Sequence, residues 1–183
     1  MYAMPGSTVI PYKGQQPTLH TGVFLATGAH IIGDVTLAED VSVWFNTVIR
    51  GDCHYVTVGA RTNIQDGAVI HVTQGEAPTI IGSDVTIGHG AVIHGCTIKD
   101  MSLIGMGAII LDGAVIQEES LVAAGSLVPP GKTYPPRSLI KGSPAKVARS
   151  LTDQEVLELK ESVAHYLDYK SNYVPSSATE TNL

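Results

Sequence analysis

Aromatic residues are scarce in this 183-residue chain, at 5%, although 44% of its residues are hydrophobic. Helical bundles and two-sheet sandwiches usually fill their cores with more large rings, whereas a narrow core of small aliphatic side chains needs few. The 19 glycines suit repeated tight corners, where the backbone takes a positive φ. The composition therefore favours a narrow aliphatic core with many turns.

Basic runs and long apolar runs are also missing. The formal net charge of −6 argues against a nucleic-acid partner and against an anionic membrane surface. No apolar run approaches the ~18 residues of a membrane-spanning helix, and residues 1–17 lack the pattern of a secretory signal. We therefore expect a cytoplasmic protein with neither nucleic-acid nor membrane partners.

An aliphatic residue recurs at every sixth position through most of the chain. Four positions later, most repeats carry a small or β-branched residue, such as Val35, Ala68 or Ala108. A hexapeptide period sustained over about a hundred residues predicts a solenoid, here with three sides to each triangular coil. The aliphatic positions are Leu25, Ile31, Leu37, Val43, Ile49, Val58, Ile64, Ile70, Ile81, Ile87, Ile93, Ile98, Ile104, Ile110, Ile116, Val122 and Val128.

Two insertions and one shortened step interrupt this period. A nine-residue step predicts a bulge over 52–55, and an eleven-residue step predicts a loop over 72–79. The step from Ile93 to Ile98 is one residue short of six. The period resumes after each interruption, so we expect the coils to continue across all three.

The two cysteines, Cys53 and Cys96, form neither a CxxC motif nor a disulfide framework. This usage is a second reason to expect the cytoplasm. Cys53 follows the inward position Ile49 by four residues, so we expect it to be a buried structural thiol. Whether either cysteine regulates activity by oxidation stays open at this point.

The period and the composition together predict an all-β solenoid followed by one α-helix. We expect an irregular lead-in over 1–24, the solenoid over 25–131, a linker over 132–151, a helix over 152–173 and a disordered tail over 174–183. The helix is predicted from the capping box TDQE and the apolar residues that follow it at helical spacing. The tail is predicted to be disordered because it is rich in serine and threonine.

Two histidines fall in the same external column of the predicted solenoid. Equivalent positions of successive coils stack about 4.8 Å apart, which is the spacing of neighbouring strands. Because Ile70 and Ile93 point inward on the same side of successive coils, the residues after them, His71 and His94, point outward together. Stacked imidazoles can bind one zinc ion, whose bonds to nitrogen are about 2.0–2.1 Å long.

A third histidine, His89, falls on the preceding side of the coil, in a column with Asp66. Side chains on two sides diverge around the corner, so His89 is not expected to reach the same ion within one subunit. It reaches a neighbour's ion if three prisms close as a C3 trimer, which predicts a three-histidine site at each interface. The alternative is that all three are surface side chains without a metal. The histidines without a partner in this arrangement are His20, His30, His54 and His165.

Six motifs lie along these coils: RGD at 50–52, TNIQDG at 62–67, IHV at 70–72, IGHG at 87–90, IHGC at 93–96 and IGMGA at 104–108. Together they resemble the γ-class carbonic anhydrase family, most closely its short bacterial members, over about residues 8–173. The resemblance implies a left-handed parallel β-helix of hexapeptide repeats and a C3 homotrimer. It also implies a bound zinc ion, or iron(II) or cobalt(II) in its place, held by His71 and His94 of one subunit and His89 of the next.

The resemblance further implies roles for the charged residues near these histidines. Arg50 and Asp52 match the family's essential arginine and its acidic neighbour. Asp66 matches a residue that pairs with an arginine across the interface, so Arg50 and Asp66 form the expected interface ion pair. The role of Asp66 is structural as much as catalytic.

Three polar residues also match the family's site. Gln65 matches the residue that hydrogen-bonds metal-bound hydroxide, and Asn63 lies just behind it. Tyr166, on the C-terminal helix, matches a tyrosine near the metal, and the alternative is that it only packs on the apolar face of the helix.

The resemblance implies reversible hydration of CO2 to bicarbonate by metal-bound hydroxide at the trimer interfaces. Strongly active members carry glutamates that export the proton, but here Cys53 follows the Arg-Gly-Asp motif. Glu76 is the only carboxylate of the loop after His71, so Glu76 and His54 are the candidate proton shuttles. Two alternatives remain: metal-assisted hydrolysis of acyl-CoA thioesters, and a scaffold or assembly protein with an idle site.

Overall fold

A computed structural model describes residues 1–175 of the chain. In this part, short strands follow one another and one helix ends the fold. The strands are β1 (Tyr2–Ala3), β2 (Thr8–Ile10), β3 (Thr18–Leu19), β4 (Phe24–Leu25), β5 (His30–Leu37), β6 (Ser42–Val43), β7 (Val48–Val58), β8 (Asn63–Ile64), β9 (Val69–His71), β10 (Thr79–Ile81), β11 (Thr86–Ile87), β12 (Val92–His94), β13 (Thr97–Ile98), β14 (Leu103–Ile104), β15 (Ile109–Ile110), β16 (Val115–Ile116), β17 (Leu121–Val122), β18 (Leu127–Val128), β19 (Thr133–Tyr134), β20 (Ser138–Gly142) and β21 (Ala145–Ser150). Helix α1 spans Asp153–Tyr173.

The strands wind into a solenoid with three faces. Face A consists, in parallel order, of β1, β4, β6, β8, β11, β14, β17 and β20, with β21 antiparallel at its far edge. The long strands β5 and β7 turn the corner between the other two faces. Face B consists of β2, the first halves of β5 and β7, β9, β12, β15 and β18, and face C consists of β3, the second halves of β5 and β7, β10, β13, β16 and β19. The predicted left-handed parallel β-helix of hexapeptide repeats with a C-terminal helix is confirmed.

The core is a narrow aliphatic column along the axis of the solenoid. On face B, Ile49, Ile70 and Ile93 lie in register on neighbouring coils and are fully buried. Burying one such side chain is worth roughly 1.5–3 kcal/mol. Within residues 1–175, the ring of Tyr134 is the one aromatic group in this core. The scarcity of aromatic residues therefore reflects how little room the prism leaves.

The structure differs from the predicted irregular lead-in over 1–24. Strands β1, β2 and β3 pair in parallel with the next coil and start the solenoid earlier. Val9 and Leu19 pack against its core, but the turn that joins Tyr12 and Gln15 inserts extra residues between them. The insertion breaks the six-residue period, and for that reason the sequence pattern does not reveal this coil.

The structure also differs from the predicted linker over 132–151. Tyr134 lies in register with Ile116, Ile140 lies in register with Val122, and both are buried. The six-residue period thus continues past Val128, and the prolines of the linker lie at corners between strands. Strands β20 and β21 then form an antiparallel pair at the end of the solenoid.

Helix α1 begins with the capping box at Thr152. The Thr152 hydroxyl accepts a hydrogen bond from the Glu155 backbone N–H at 3.2 Å, and the Glu155 carboxylate accepts one from the Thr152 N–H at 2.9 Å. Val156 and Leu159 bury one face of the helix against face A. No helix in the described part of the chain is long and apolar enough to cross a membrane. Most of the predicted disordered tail, 176–183, lies outside the described residues.

The last turns of α1 pack on the first coils of face A. Lys170 is buried there, and its Nζ donates to the Gly22 carbonyl at 3.0 Å and to Asp40 Oδ1 at 2.7 Å. Most of the aromatic side chains gather at this contact, outside the solenoid core. They are Tyr2, Phe24, Trp44, Phe45, Tyr166, Tyr169 and Tyr173.

Replacing Thr152 by alanine should lower the free energy of unfolding by about 1 kcal/mol, because the first turn of α1 loses its cap. Urea titration followed by circular dichroism measures this change. Thr133→Ala is the control, since Thr133 is exposed on a strand of face C. An equal loss in both variants would contradict a specific capping role.

Candidate metal centre

The outward column of face B brings two histidines together. His71 ends β9 and His94 ends β12, and the two residues are partners in the parallel register. His71 Nδ1 lies 3.1 Å from His94 Nε2, and the ring centroids are 5.1 Å apart. The stacking expected from the six-residue period is therefore present, and we refer to His71 and His94 as the histidine pair.

Each imidazole of the histidine pair has a carboxylate on its other nitrogen. Asp52 Oδ1 lies 3.0 Å from His71 Nε2, and Asp112 Oδ1 lies 2.5 Å from His94 Nδ1. Partial burial raises the pKa of both carboxyl groups, but hydrogen bonds from their neighbours outweigh it and hold each pKa below its ordinary value. Both groups are therefore anionic at neutral pH, and each can accept an N–H hydrogen from its imidazole.

When each ring donates to its carboxylate, two bare nitrogen atoms face each other. A neutral imidazole carries one N–H, so a ring that donates to a carboxylate presents a lone pair on its second nitrogen. Two lone pairs 3.1 Å apart favour a cation between them. Ligand atoms of a tetrahedral zinc site lie about 3.3 Å apart, given zinc–nitrogen bonds of about 2.0–2.1 Å. The histidine pair thus fits zinc, and imidazole ligands also suit iron(II) and cobalt(II).

Asp112 is a site residue that the sequence analysis missed. It follows the inward position Ile110 by two residues, so it lies at the corner beyond the outward column. Its Oδ2 accepts a hydrogen bond from the Thr73 hydroxyl at 2.6 Å. The available signal was its place one coil after His94 on the same face.

The prediction that Cys53 is buried is wrong. The bulge in β7 turns this side chain outward, and the thiol is exposed, with Sγ 3.7 Å from the Val72 carbonyl oxygen. Ligand atoms of Asp52, Cys53 and His71 lie within 4.8 Å of one another. Partial burial and the charge of Asp52 raise the pKa of Cys53, however, which disfavours the thiolate that a metal binds.

His89 lies at the corner between faces A and B. Gly90, with a φ of +65°, makes the tight turn directly after it. His89 Nδ1 lies 2.8 Å from Asp66 Oδ2, and both side chains are about half exposed. Among the residues that the structure describes, His89 does not belong to the cluster of Asp52, Cys53 and His71 in the same chain.

Gln65 ends a chain of buried hydrogen bonds. Its Nε2 donates to Asn63 Oδ1 at 3.1 Å, and Asn63 Nδ2 donates to the Thr86 hydroxyl at 2.9 Å. The Thr86 hydroxyl lies 3.3 Å from that of Ser162 on α1. Because the Gln65 amide nitrogen is engaged, its carbonyl oxygen is the group left to accept a further hydrogen bond.

A cavity of about 330 Å³ opens beside Gln65 and His89. Its walls are mostly apolar, and Leu103, Met106 and Leu121 contribute to them. The corner of faces A and B thus combines one imidazole, one amide and an apolar hollow. An uncharged substrate can bind in such a place next to a reacting group.

No protein-family model matches the chain. It is 42% identical over 166 residues to γ carbonic anhydrase 2 of Arabidopsis thaliana mitochondria, which covers 88% of this chain. It is 44% identical over 165 residues to a carbonic anhydrase of Geobacillus kaustophilus, with 90% of each chain covered. The chain belongs to the γ-class carbonic anhydrase family. It spans 60% of the length of the Arabidopsis protein.

Solved structures with the same fold carry other names. A Bacillus cereus protein named as a candidate acetyltransferase superposes with a TM-score of 0.90 at 42% identity, covering 92% of this chain and 97% of that one. A hexapeptide transferase family protein of Anaplasma phagocytophilum gives a TM-score of 0.87 at 41% identity, covering 91% of this chain and 98% of that one. Both solved structures therefore share the fold of this chain over more than 90% of its length.

Arg50 and Asp66, the interface ion pair that the γ-class resemblance implies, have other partners within the single chain. Arg50 forms an ion pair with Asp52, and Asp66 contacts His89. Tyr166 packs edge-on against Trp44, with ring centroids 5.4 Å apart. Partial burial and the nearby Asp66 charge raise the pKa of Tyr166, so it stays a neutral phenol.

The two candidate proton shuttles differ in their surroundings. Glu76 is exposed in the loop that Thr73 and Ala77 close. His54 lies in the bulge of β7, where its Nδ1 accepts a hydrogen bond from the Tyr55 N–H at 2.9 Å. His54 is close in sequence to Asp52, which contacts the histidine pair.

Replacing His94 by alanine should abolish stoichiometric zinc binding, because the second imidazole of the histidine pair is lost. Elemental analysis of dialysed protein and the shift of the melting temperature with added zinc measure the effect. His20→Ala is the control, since His20 is exposed and away from this column. Equal zinc contents in the two variants would contradict the assignment.

Proposed function

We propose that this chain is a metal-dependent γ-class carbonic anhydrase of the cytoplasm, which hydrates CO2 reversibly to bicarbonate at sites shared between the subunits of a homotrimer. The observation that carries the proposal is the histidine pair, whose two facing nitrogens are 3.1 Å apart and whose other nitrogens contact carboxylates. The carbonic anhydrases among its relatives support the same activity.

The metal ligands in this proposal are His71 and His94 of one subunit and His89 of the next. A bound zinc ion, or iron(II) or cobalt(II), supplies Lewis acidity that lowers the pKa of water towards about 7. Three imidazoles would hold the ion and leave room for water on it, as in catalytic rather than structural zinc sites.

The other residues orient the reactants. The Gln65 carbonyl oxygen accepts a hydrogen bond from the attacking water, and Asn63 holds the Gln65 amide in place. The apolar wall that includes Met106 receives CO2. The water oxygen bonds to the carbon of CO2, one proton leaves for solvent, and bicarbonate departs. Glu76 or His54 transfers that proton.

Face B provides an apolar surface for the subunit contact. The residues that precede the inward positions form an outward column beside the histidine pair, and two of them, Val69 and Ile109, are 41% and 37% exposed. The equivalent column of face C alternates threonine with aliphatic residues. Covering the column of face B with the corner that carries His89 buries apolar area and brings the third ligand to the histidine pair.

The charged pair expected across the interface fits the same contact. Arg50 is 42% exposed beside the histidine pair, and Asp66 is 42% exposed beside His89. If the two surfaces meet, Arg50 reaches Asp66 of the neighbouring subunit while Asp52 stays on His71. Tyr166, which lines a hollow together with Asp66, lies at the edge of this contact.

A second candidate function is metal-assisted hydrolysis of an acyl-CoA thioester. The cavity beside His89 has a volume of about 330 Å³, within the range of pockets for much larger ligands than CO2. The same activated water would attack the thioester carbonyl carbon and release a thiol. An idle site in a scaffold protein is the third possibility, and metal content tests it.

The zinc-loaded wild type should hydrate CO2 in a stopped-flow assay, and His89→Ala should lose at least a hundredfold in kcat/KM because one ligand is missing. His165→Ala, on the exposed side of α1, is the control and should keep full activity. About one metal per subunit without CO2 hydration would overturn the anhydrase proposal and direct the assay to acyl-CoA thioesters. Absence of bound metal would favour the scaffold.

Mixing two inactive variants tests whether the site is shared. In trimers of His89→Ala and His94→Ala subunits, every mixed trimer regains one intact interface. Random mixing should therefore restore about a quarter of the wild-type activity. No recovery after mixing would contradict a site built from two subunits, even if the wild type is active.

A further inference from the structure

Asp112 has both carboxylate oxygens engaged beside the histidine pair. Oδ1 lies 2.5 Å from His94 Nδ1, and Oδ2 accepts from the Thr73 hydroxyl at 2.6 Å. Asp112 thus connects one imidazole to the start of the loop that follows His71. A carboxylate in this position fixes the tautomer and the orientation of a histidine ring.

The chain leaves space for this contact at Gly95. A Cβ placed on Gly95 would lie 2.5 Å from Asp112 Oδ1 and 3.0 Å from its Cγ. Any other residue there would push the carboxylate away from His94. Gly95 also has a φ of +55°, a conformation that favours glycine.

We infer that Asp112 is a positioning residue of the metal centre, which keeps His94 protonated on Nδ1 so that Nε2 faces His71 as a bare ligand atom. The inference rests on the proposed metal centre and adds a residue from outside its histidine and Arg-Gly-Asp motifs. Asp52 makes the equivalent contact with His71. Arg50 binds the second oxygen of Asp52, as Thr73 binds the second oxygen of Asp112. Each ring of the histidine pair is then held by its own anchored carboxylate.

Asp100 serves as a control that distinguishes a positioning role of Asp112 from a purely structural one. Asp100 also follows an inward isoleucine by two positions and lies over a glycine, because a Cβ on Gly82 would be 2.2 Å from its Oδ1. That oxygen accepts from the Ser83 backbone N–H at 2.9 Å rather than from an imidazole. Asp100→Ala therefore tests the corner packing without the histidine.

Nuclear magnetic resonance of the metal-free protein, with nitrogen-15 in its imidazoles, reads the tautomer of His94 directly. We expect the Nδ1–H form in the wild type and in Asp100→Ala, and a shift towards Nε2–H in Asp112→Ala. Asp112→Asn should be intermediate, since its amide oxygen still accepts the hydrogen bond without the charge. An unchanged His94 tautomer in Asp112→Ala would overturn the inference, whatever reaction the protein catalyses.

Zinc affinity, measured by competition with a chelator on variants that sediment like the wild type, gives a second readout. Asp112→Ala should bind zinc about 10–100-fold more weakly, and Asp112→Asn should recover part of the loss. Thr73→Val should weaken zinc binding less than Asp112→Ala, and Asp100→Ala should stay within about twofold of the wild type. An equal loss in Asp100→Ala and Asp112→Ala would reduce Asp112 to a packing residue. Normal zinc binding without CO2 hydration, together with the expected Asp112 effects, would leave this inference standing and remove only the proposed reaction.

Discussion

Parallel pairing in register is the interaction on which the whole molecule depends. Each coil satisfies its backbone N–H and C=O groups with the coils before and after it, so equivalent positions must repeat at the strand spacing. That requirement stacks isoleucine on isoleucine inside the prism. It also stacks whatever follows each isoleucine outside it, and for this reason His71 lies directly against His94.

The same stacking holds the two imidazoles in close contact, with His71 Nδ1 3.1 Å from His94 Nε2. When both rings donate to their carboxylates, the two lone pairs that face each other repel. The backbone ladder fixes the spacing of the two residues, and Asp52 and Asp112 each offer an acceptor for an N–H on the other nitrogen of the ring. A cation bound between the two nitrogens would relieve this repulsion, and its binding would add to the stability of the folded chain.

Periodicity decided which features the sequence reveals. The inward column and the histidine pair follow from counting in sixes, because both repeat with the coil. The first coil was not predicted because the turn at Tyr12 and Gln15 makes the step from Val9 to Leu19 longer than six residues. At the other end, Tyr134 replaces an aliphatic residue and prolines occupy the corners, although the period itself continues to Ile140.

Side-chain direction was least predictable at bulges and corners. Within β7 the bulge changes the alternation of inward and outward residues, which turns Cys53 out towards solvent. Asp112 lies one coil after Gly95, and its contact with His94 depends on the turn and on the space above that glycine. Turn geometry of this kind is set by neighbouring coils, and one sequence read in repeats does not contain it.

The division of the candidate site between two surfaces links metal binding to assembly. One chain holds the histidine pair on face B and holds His89 with Gln65 at the corner of faces A and B. Under the proposed arrangement, the third ligand arrives only when these surfaces meet. Thermodynamic linkage then requires that the ion stabilises the trimer by the same factor by which the trimer strengthens ion binding. The apolar column of face B and the charged residues Arg50 and Asp66 therefore contribute to metal affinity without touching the metal.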